Sequence, residues 1–281
     1  MTTTSYGPPV DKLLTLGDAH DSMGHWPDYA ALGLGPEHIP DLVHMATDEE
    51  LRQADSDSLQ VSAPIHAWRA LGQLRAEAAI EPLTGLLHLI DDDDDDWVGE
   101  ELPEVYGMIG PAAIQALAAY LADASHPLYA RIAAAHSFAE IGKSHPGSRA
   151  DCVAALTAQL ERFAENDHTL NAFLVDFMID LKAVESAPVM ERAFAAGRVE
   201  LPVAGDWEDV QIELGLRQTR ETPRPNYAES MLGPELAAKF ATLSQRVQTA
   251  GPQYRPQRRK AKKRDKRKQQ EPRSKKNRKR N

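Results

Sequence analysis

Residues 64–87 read PIHAWRALGQLRAEAAIEPLTGLL, and this stretch decides the fold. Ile65, Trp68 and Leu71 recur at the spacing of one helix face, and the phrase closes on Gly72. A second apolar series follows at once, with Ile80, Leu83 and Leu87 again three and four apart. Two short helices with one apolar stripe each cannot bury those stripes alone, so they must stack on further copies of themselves.

Further copies are present. The phrases Ala31-Leu32-Gly33, Met108-Ile109-Gly110 and Glu140-Ile141-Gly142 match Ala70-Leu71-Gly72, and Asp180-Leu181-Lys182 is a degenerate fifth. The glycines lie 39, 38 and 32 residues apart, near the ~40-residue period of stacked helix pairs. After each glycine an apolar triplet marks a second helix: Ile39, Leu42 and Met45, then Ile114, Leu117 and Leu121, then Val153, Leu156 and Leu160. The glycine is expected at the left-handed cap position, with proline opening the next helix at Gly35-Pro36 and Gly110-Pro111. The first helices of the later pairs are expected over Leu102–Ile109, Pro127–Ile141 and Thr169–Leu181.

The phrase Ala67-Trp68-Arg69-Ala70-Leu71-Gly72, followed by Ala78-Ala79-Ile80-Glu81-Pro82-Leu83, resembles the HEAT-like repeat named for phycobilisome lyases. The resemblance covers roughly residues 10–217 and implies an all-α, HEAT-like α-solenoid of about four to five helix pairs. It implies little about function, because the same repeat serves bilin lyases, DNA-repair glycosylases and adaptors. Bacterial proteins similar to this one often carry a C-terminal zinc module with several cysteines. This chain has no cysteine after Cys152, so neither zinc nor any other cofactor is carried over.

Boundaries follow from the same pattern. Residues 1–27 read as an N-terminal cap segment, 28–217 as the repeats and 218–233 as a linker containing Pro223 and Pro225. After the last repeat, 201–216, with Trp207, Val210, Ile212 and Leu214, is expected to cap the open end. Leu236, Phe240, Leu243 and Val247 predict an amphipathic helix over 234–250. Residues 251–281 are too charged to fold alone and are expected to be a disordered polybasic tail.

The formal net charge of −10 combines two opposed pieces: residues 255–281 carry 16 basic and two acidic side chains, or +14, and residues 1–254 carry −24. The tail cations Arg258, Arg259, Lys260, Lys262, Lys263, Arg264, Lys266, Arg267, Lys268, Lys275, Lys276, Arg278, Lys279 and Arg280 suit phosphate neutralisation. Base stacking is not expected there, since no aromatic residue follows Tyr254. The same tail could instead screen the acidic body, or serve as an inert solubilising appendage. One cysteine, no signal peptide and no long apolar run lead to the expectation of a soluble, cytoplasmic chain with no membrane contact.

Other candidates are weaker. The run Asp91–Asp96 lacks the alternation and glycine of a calcium loop and reads as a solvated acidic loop before a helix. His20 with His25, His38 with His44, His66 and His136 do not have metalloprotease spacing, and Cys152 reads as a buried small residue. Trp26, Trp68, Trp97 and Trp207 either line a groove or fill the core between repeats. The function expected is therefore a non-enzymatic scaffold or adaptor, with a protein partner on the solenoid and RNA, ribosome or DNA on the tail. The alternatives are an enzyme of the HEAT-like lyase or glycosylase type, and a purely structural interaction module.

Overall fold

The computed structural model describes residues 5–225 and Tyr227. The expected helix over 234–250 and the basic residues between Arg258 and Arg280 lie outside the described residues. The chain forms two units, 1–225 and 226–281, and the helices below belong to the first. All regular secondary structure of the described residues is helical, with no strand among them.

The long helices are α1 (Ile39–Ala46), α3 (Ala63–Gln73), α6 (Asp96–Ile109), α7 (Ile114–Ala122), α8 (Leu128–Ser144), α9 (Arg149–Leu160), α10 (His168–Asp180) and α11 (Ala187–Ala195). Between and beyond them lie short helices: α2 (Glu49–Arg52), α4 (Ile80–Thr84), α5 (Leu89–Asp92), α12 (Leu201–Ala204) and α13 (Trp207–Glu213). Single 3-10 turns at Pro36–His38 and Pro111–Ala113 lead into α1 and α7, with the proline at the first position, where its missing N–H costs nothing.

The helices make two rows. In one, α3, α6, α8 and α10 each pack against the next; in the other, α1, α4, α7, α9 and α11 do the same. Both rows draw on one core. Ile65, Trp68 and Leu71 of α3 are buried with Leu42 and Met45 of α1 and with Val105, Tyr106 and Ile109 of α6. The triplets Ile80/Leu83/Leu87 and Val153/Leu156/Leu160 are buried, as are Leu117 and Leu121, whereas Ile39 and Ile114, which open their series, are only partly buried. Each fully buried Leu, Val or Ile contributes roughly 1.5–3 kcal/mol relative to exposure.

Helix α8 occupies the centre of its row. Ala130, Ala133, Ala134, Ala135 and Ala139 present little bulk, so its neighbours come close. At the closest point Gly107 of α6 faces Glu140: a Cβ on residue 107 would stand 2.9 Å from the Glu140 Cβ. The His145 Nε2–H donates to the Gly107 carbonyl at 3.0 Å and fastens the end of α8 to the end of α6.

The glycine caps follow the sequence expectation at two positions and depart from it at two. Gly33 (φ 92°) and Gly110 (φ 91°) end their helices with positive φ. Gly72 and Gly142 instead lie inside α3 and α8, which run on to Gln73 and Ser144. There the missing side chain serves helix approach: a Cβ on residue 72 would meet Met108 Sδ at 3.2 Å, and one on residue 142 would meet Leu181 Cδ2 at 2.6 Å. The left-handed residue after α3 is Arg75 (φ 52°), and after α10 it is Lys182 (φ 51°).

The described part of the N-terminal segment runs in 3-10 turns (Val10–Thr15 and Ala19–Ser22), and Val10, Leu13 and Ala19 are fully buried in the same core. The 3-10 turn over Leu59–Ser62 backs it, with Ser62 Oγ accepting from the Ala19 amide at 3.2 Å. Between α9 and α10 the amides of Gln159, Asn166 and Asn171 bond one another and the Phe163 and Arg198 carbonyls, so the buried polar groups of that turn are satisfied. No single helix among the described residues is long and apolar enough to cross a membrane.

Candidate functional site

Arg69 stands in the middle of the apolar face of α3, and its side chain is completely buried. A buried cation must be paired, and α6 supplies the partner. Glu101 lies on the first turns of that helix, where Asp95 caps the free amides of Trp97 and Val98. Arg69 Nε donates to Glu101 Oε2 at 2.7 Å and its NH2 group to Glu101 Oε1. Trp68 Nε1 adds a third donor to Glu101 at 3.1 Å. Burial opposes the Arg69 charge, but the carboxylate more than offsets it and holds the guanidinium above its ordinary value.

The remaining donors of Arg69 reach the N-terminal segment. NH1 donates to Ser22 Oγ at 2.8 Å and NH2 to the Ala19 carbonyl at 3.3 Å. The guanidinium carbon lies 5.3 Å from the Trp26 ring and 5.7 Å from the Trp97 ring, and the His20 ring stands edge-on to Trp97 at 4.4 Å. Three of the four tryptophans thus converge on one ion pair, while Trp207 packs on Phe194. The two readings of the tryptophans resolve toward core filling: Trp68 is buried, and Trp26, Trp97 and Trp207 pack half-buried against the core.

Beside this centre His66 bridges the same elements. Its Nε2 faces the Gly17 carbonyl at 3.2 Å, which can only accept, so Nε2 carries the proton and Nδ1 accepts from the Tyr29 hydroxyl at 2.8 Å. Burial lowers the His66 pKa, only partly countered by Gly17, and burial raises that of Tyr29.

Along the α6–α8–α10 row the polar groups continue as a chain. The His136 ring stacks on Phe177 (5.0 Å between centroids, 8° between planes), and its Nε2 lies 3.4 Å from Glu140 Oε1. Lys143 bridges Glu140 at 3.1 Å and Asp180 at 2.7 Å. His136, against the opposing effect of burial and with Lys143 helping, holds the Glu140 carboxyl down at about 2. Two exposed carboxyls move the other way. Partial desolvation by the surrounding helices raises Glu104, with the charges of Glu101 and Glu140 adding to it, and raises Asp176, with Asp180 adding to it. The row therefore carries like charges crowded together, an arrangement that favours a cationic neighbour over an anionic one.

The acidic run has structural duties. Asp91 accepts from the Tyr129 and Ala130 amides at the start of α8, Asp93 pairs with Arg52 at 2.5 Å, and Asp95 caps α6. Asp91 and Asp92 belong to α5 and Asp96 opens α6, so the run is half helix rather than wholly loop. Among the described residues no group of three or more His, Cys, Asp or Glu side chains is arranged to hold a metal ion. His38 Nδ1 accepts from the Gly35 amide at 3.0 Å, and His44 Nδ1 bonds the Tyr6 hydroxyl at 2.9 Å. Cys152 is fully buried, and burial pushes its thiol up to about 11, so it is an inert core residue.

The Arg69–Glu101 pair is the feature that sequence reading missed. Its one trace is an arginine in an otherwise apolar turn; the partner, 32 positions away on another helix, left no periodic signal. No family model matches the chain, and no curated protein or solved structure matches it either.

Proposed function

We propose that the two helix rows form a HEAT-like α-solenoid acting as a non-enzymatic scaffold, which engages a protein partner and contacts RNA, ribosome or DNA through residues 255–281. The observation that carries this reading is the division of charge, −24 over residues 1–254 against +14 over 255–281. An acidic body repels bare nucleic acid and attracts basic protein surface, whereas a dense cationic segment gains affinity by releasing counterions from a polyanion. The crowded carboxylates at Glu104 and Asp176 agree with a basic partner on the body.

The test compares the full-length chain with a variant in which every Lys and Arg of 255–281 is replaced by Gln. Binding of a labelled single-stranded RNA is measured at low and high salt. The proposal expects tight binding by the native chain that falls steeply with salt, with a log–log slope of several units, and its loss in the variant. Equal binding by both chains would remove the nucleic-acid half of the reading.

A further inference from the structure

Residues 217–224, read from sequence partly as linker, are held to α13 by charge. Three carboxylates sit in the first turn of that helix region, at Asp206, Glu208 and Asp209, and three arginines follow at 217, 220 and 224. Arg220 meets Asp206 through two nitrogens, at 2.8 and 2.5 Å, and reaches Asp209 at 2.6 Å. Arg224 joins Asp209 at 2.7 Å, and Arg217 meets Glu208 at 2.6 Å. The second oxygen of Glu208 accepts from the Glu221 amide at 3.2 Å, the Thr222 amide at 3.1 Å and the Thr222 hydroxyl at 2.9 Å. Arg220 lowers the Asp206 pKa, while the Thr222 amide lowers that of Glu208.

This closure is almost wholly electrostatic. Residues 218–222 make no backbone–backbone hydrogen bond among the described residues, so the protection of two consecutive amides rests on the Glu208 carboxylate. The three acid side chains are only 10–20% exposed while the strap is closed. The three arginines are on the strap and the carboxylates of Asp206, Glu208 and Asp209 are at the start of the helix, while the strap's own acid, Glu221, lies 3.6 Å from Arg217. A guanidinium fork donates to phosphate as readily as to carboxylate. A polyanion that takes the arginines therefore frees the strap and uncovers the carboxylates in one event.

We propose that residues 217–224 are a strap that a polyanion opens by competing for Arg217, Arg220 and Arg224. The inference rests on the polyanion reading of the tail, and it adds a conformational consequence to that binding. Opening offers three further arginines to the polyanion and exposes Asp206, Glu208 and Asp209 as a new acidic patch at that end of the body.

Hydrogen exchange on the full-length chain tests it, with inorganic polyphosphate as the probe and binding followed separately by titration. Saturating polyphosphate is expected to speed exchange at Glu221 and Thr222 by about tenfold or more, with the amides of α8 unchanged. The R217Q/R220Q variant is expected to exchange fast there without any probe, and D206N/E208Q likewise. Polyphosphate that binds yet leaves these amides protected would overturn the strap and leave the tail reading standing. No binding at all would overturn both. Slow exchange in both variants would show that charge does not close the strap, and would sink the proposal.

Discussion

Arg69 and Glu101 form a two-point ion pair across α3 and α6, with the arginine completely out of water and the glutamate 8% exposed. The pair ties three parts of the chain together, because the same guanidinium also holds Ser22 and the Ala19 carbonyl. Removing one partner leaves a buried charge unpaired, which costs roughly 3–5 kcal/mol, whereas replacing both with apolar groups of similar volume can be nearly neutral. Arg69→Ala and Glu101→Ala are therefore expected to lower urea-unfolding stability by about that amount. The double change Arg69→Met with Glu101→Leu should recover most of it. Additive losses in the double variant would show that packing, not the ion pair, sets the cost.

Gly107 is a packing requirement rather than a conformational one. A methyl group there meets the Glu140 Cβ at 2.9 Å and backbone at 3.3 Å, neither of which can swing away. Gly107→Ala is expected to cost roughly 1–3 kcal/mol by overpacking. Gly147, with nothing within 4 Å and no positive φ, is the control, and Gly147→Ala should be neutral or slightly stabilising. The midpoints of thermal unfolding of the two variants give the comparison directly.

Arg75 is exposed and holds φ at 52° after α3, a conformation that costs an L-residue roughly 1–2 kcal/mol and glycine almost nothing. Part of that gain is lost to the greater freedom of glycine in the unfolded chain. Arg75→Gly should stabilise the protein by about 0.5–1 kcal/mol in a chemical denaturation curve. A destabilised variant would mean that the arginine side chain makes a contact worth more than the strain.

His66 predicts an acid-sensitive N-terminal segment. Burial depresses its pKa in the fold, so the unfolded chain takes up a proton first as pH falls. Stability is full above the unfolded value of about 6.5 and declines below it, until the pH passes the depressed folded value. Protonation would also leave Tyr29 without its acceptor. Thermal midpoints measured from pH 8 to 5 should drop below about 6.5 in the native chain, and much less in His66→Gln. Parallel curves for the two proteins would assign the acid sensitivity elsewhere.

Much of the helical order is legible in the residues themselves. The helical spacing of Ile65, Trp68 and Leu71, and of Val153, Leu156 and Leu160, depends only on the geometry of an isolated helix, so it marks both the elements and their buried faces without any partner. The prolines at 36 and 111 act locally, and their turns fall where they are expected. Gly72 and Gly142 mislead because one residue type serves two ends, a left-handed turn or a close approach. Only the neighbouring helix tells which applies: Met108 beside the first and Leu181 beside the second.

The candidate site was the less legible part. The division of charge between 1–254 and 255–281 is a property of composition and is complete in the sequence. Which acids are paired and which are crowded is decided by tertiary structure alone. Glu101 and Glu104 sit one turn apart on α6, yet one meets a buried arginine from α3 and the other faces Glu140 of α8. Likewise, nothing local to Arg217 or Arg220 marks them as bound to α13. Helix periodicity is a short-range regularity carried by every turn of the chain. An ion pair between distant positions exists only once packing has brought two helices together, so sequence spacing holds no record of it.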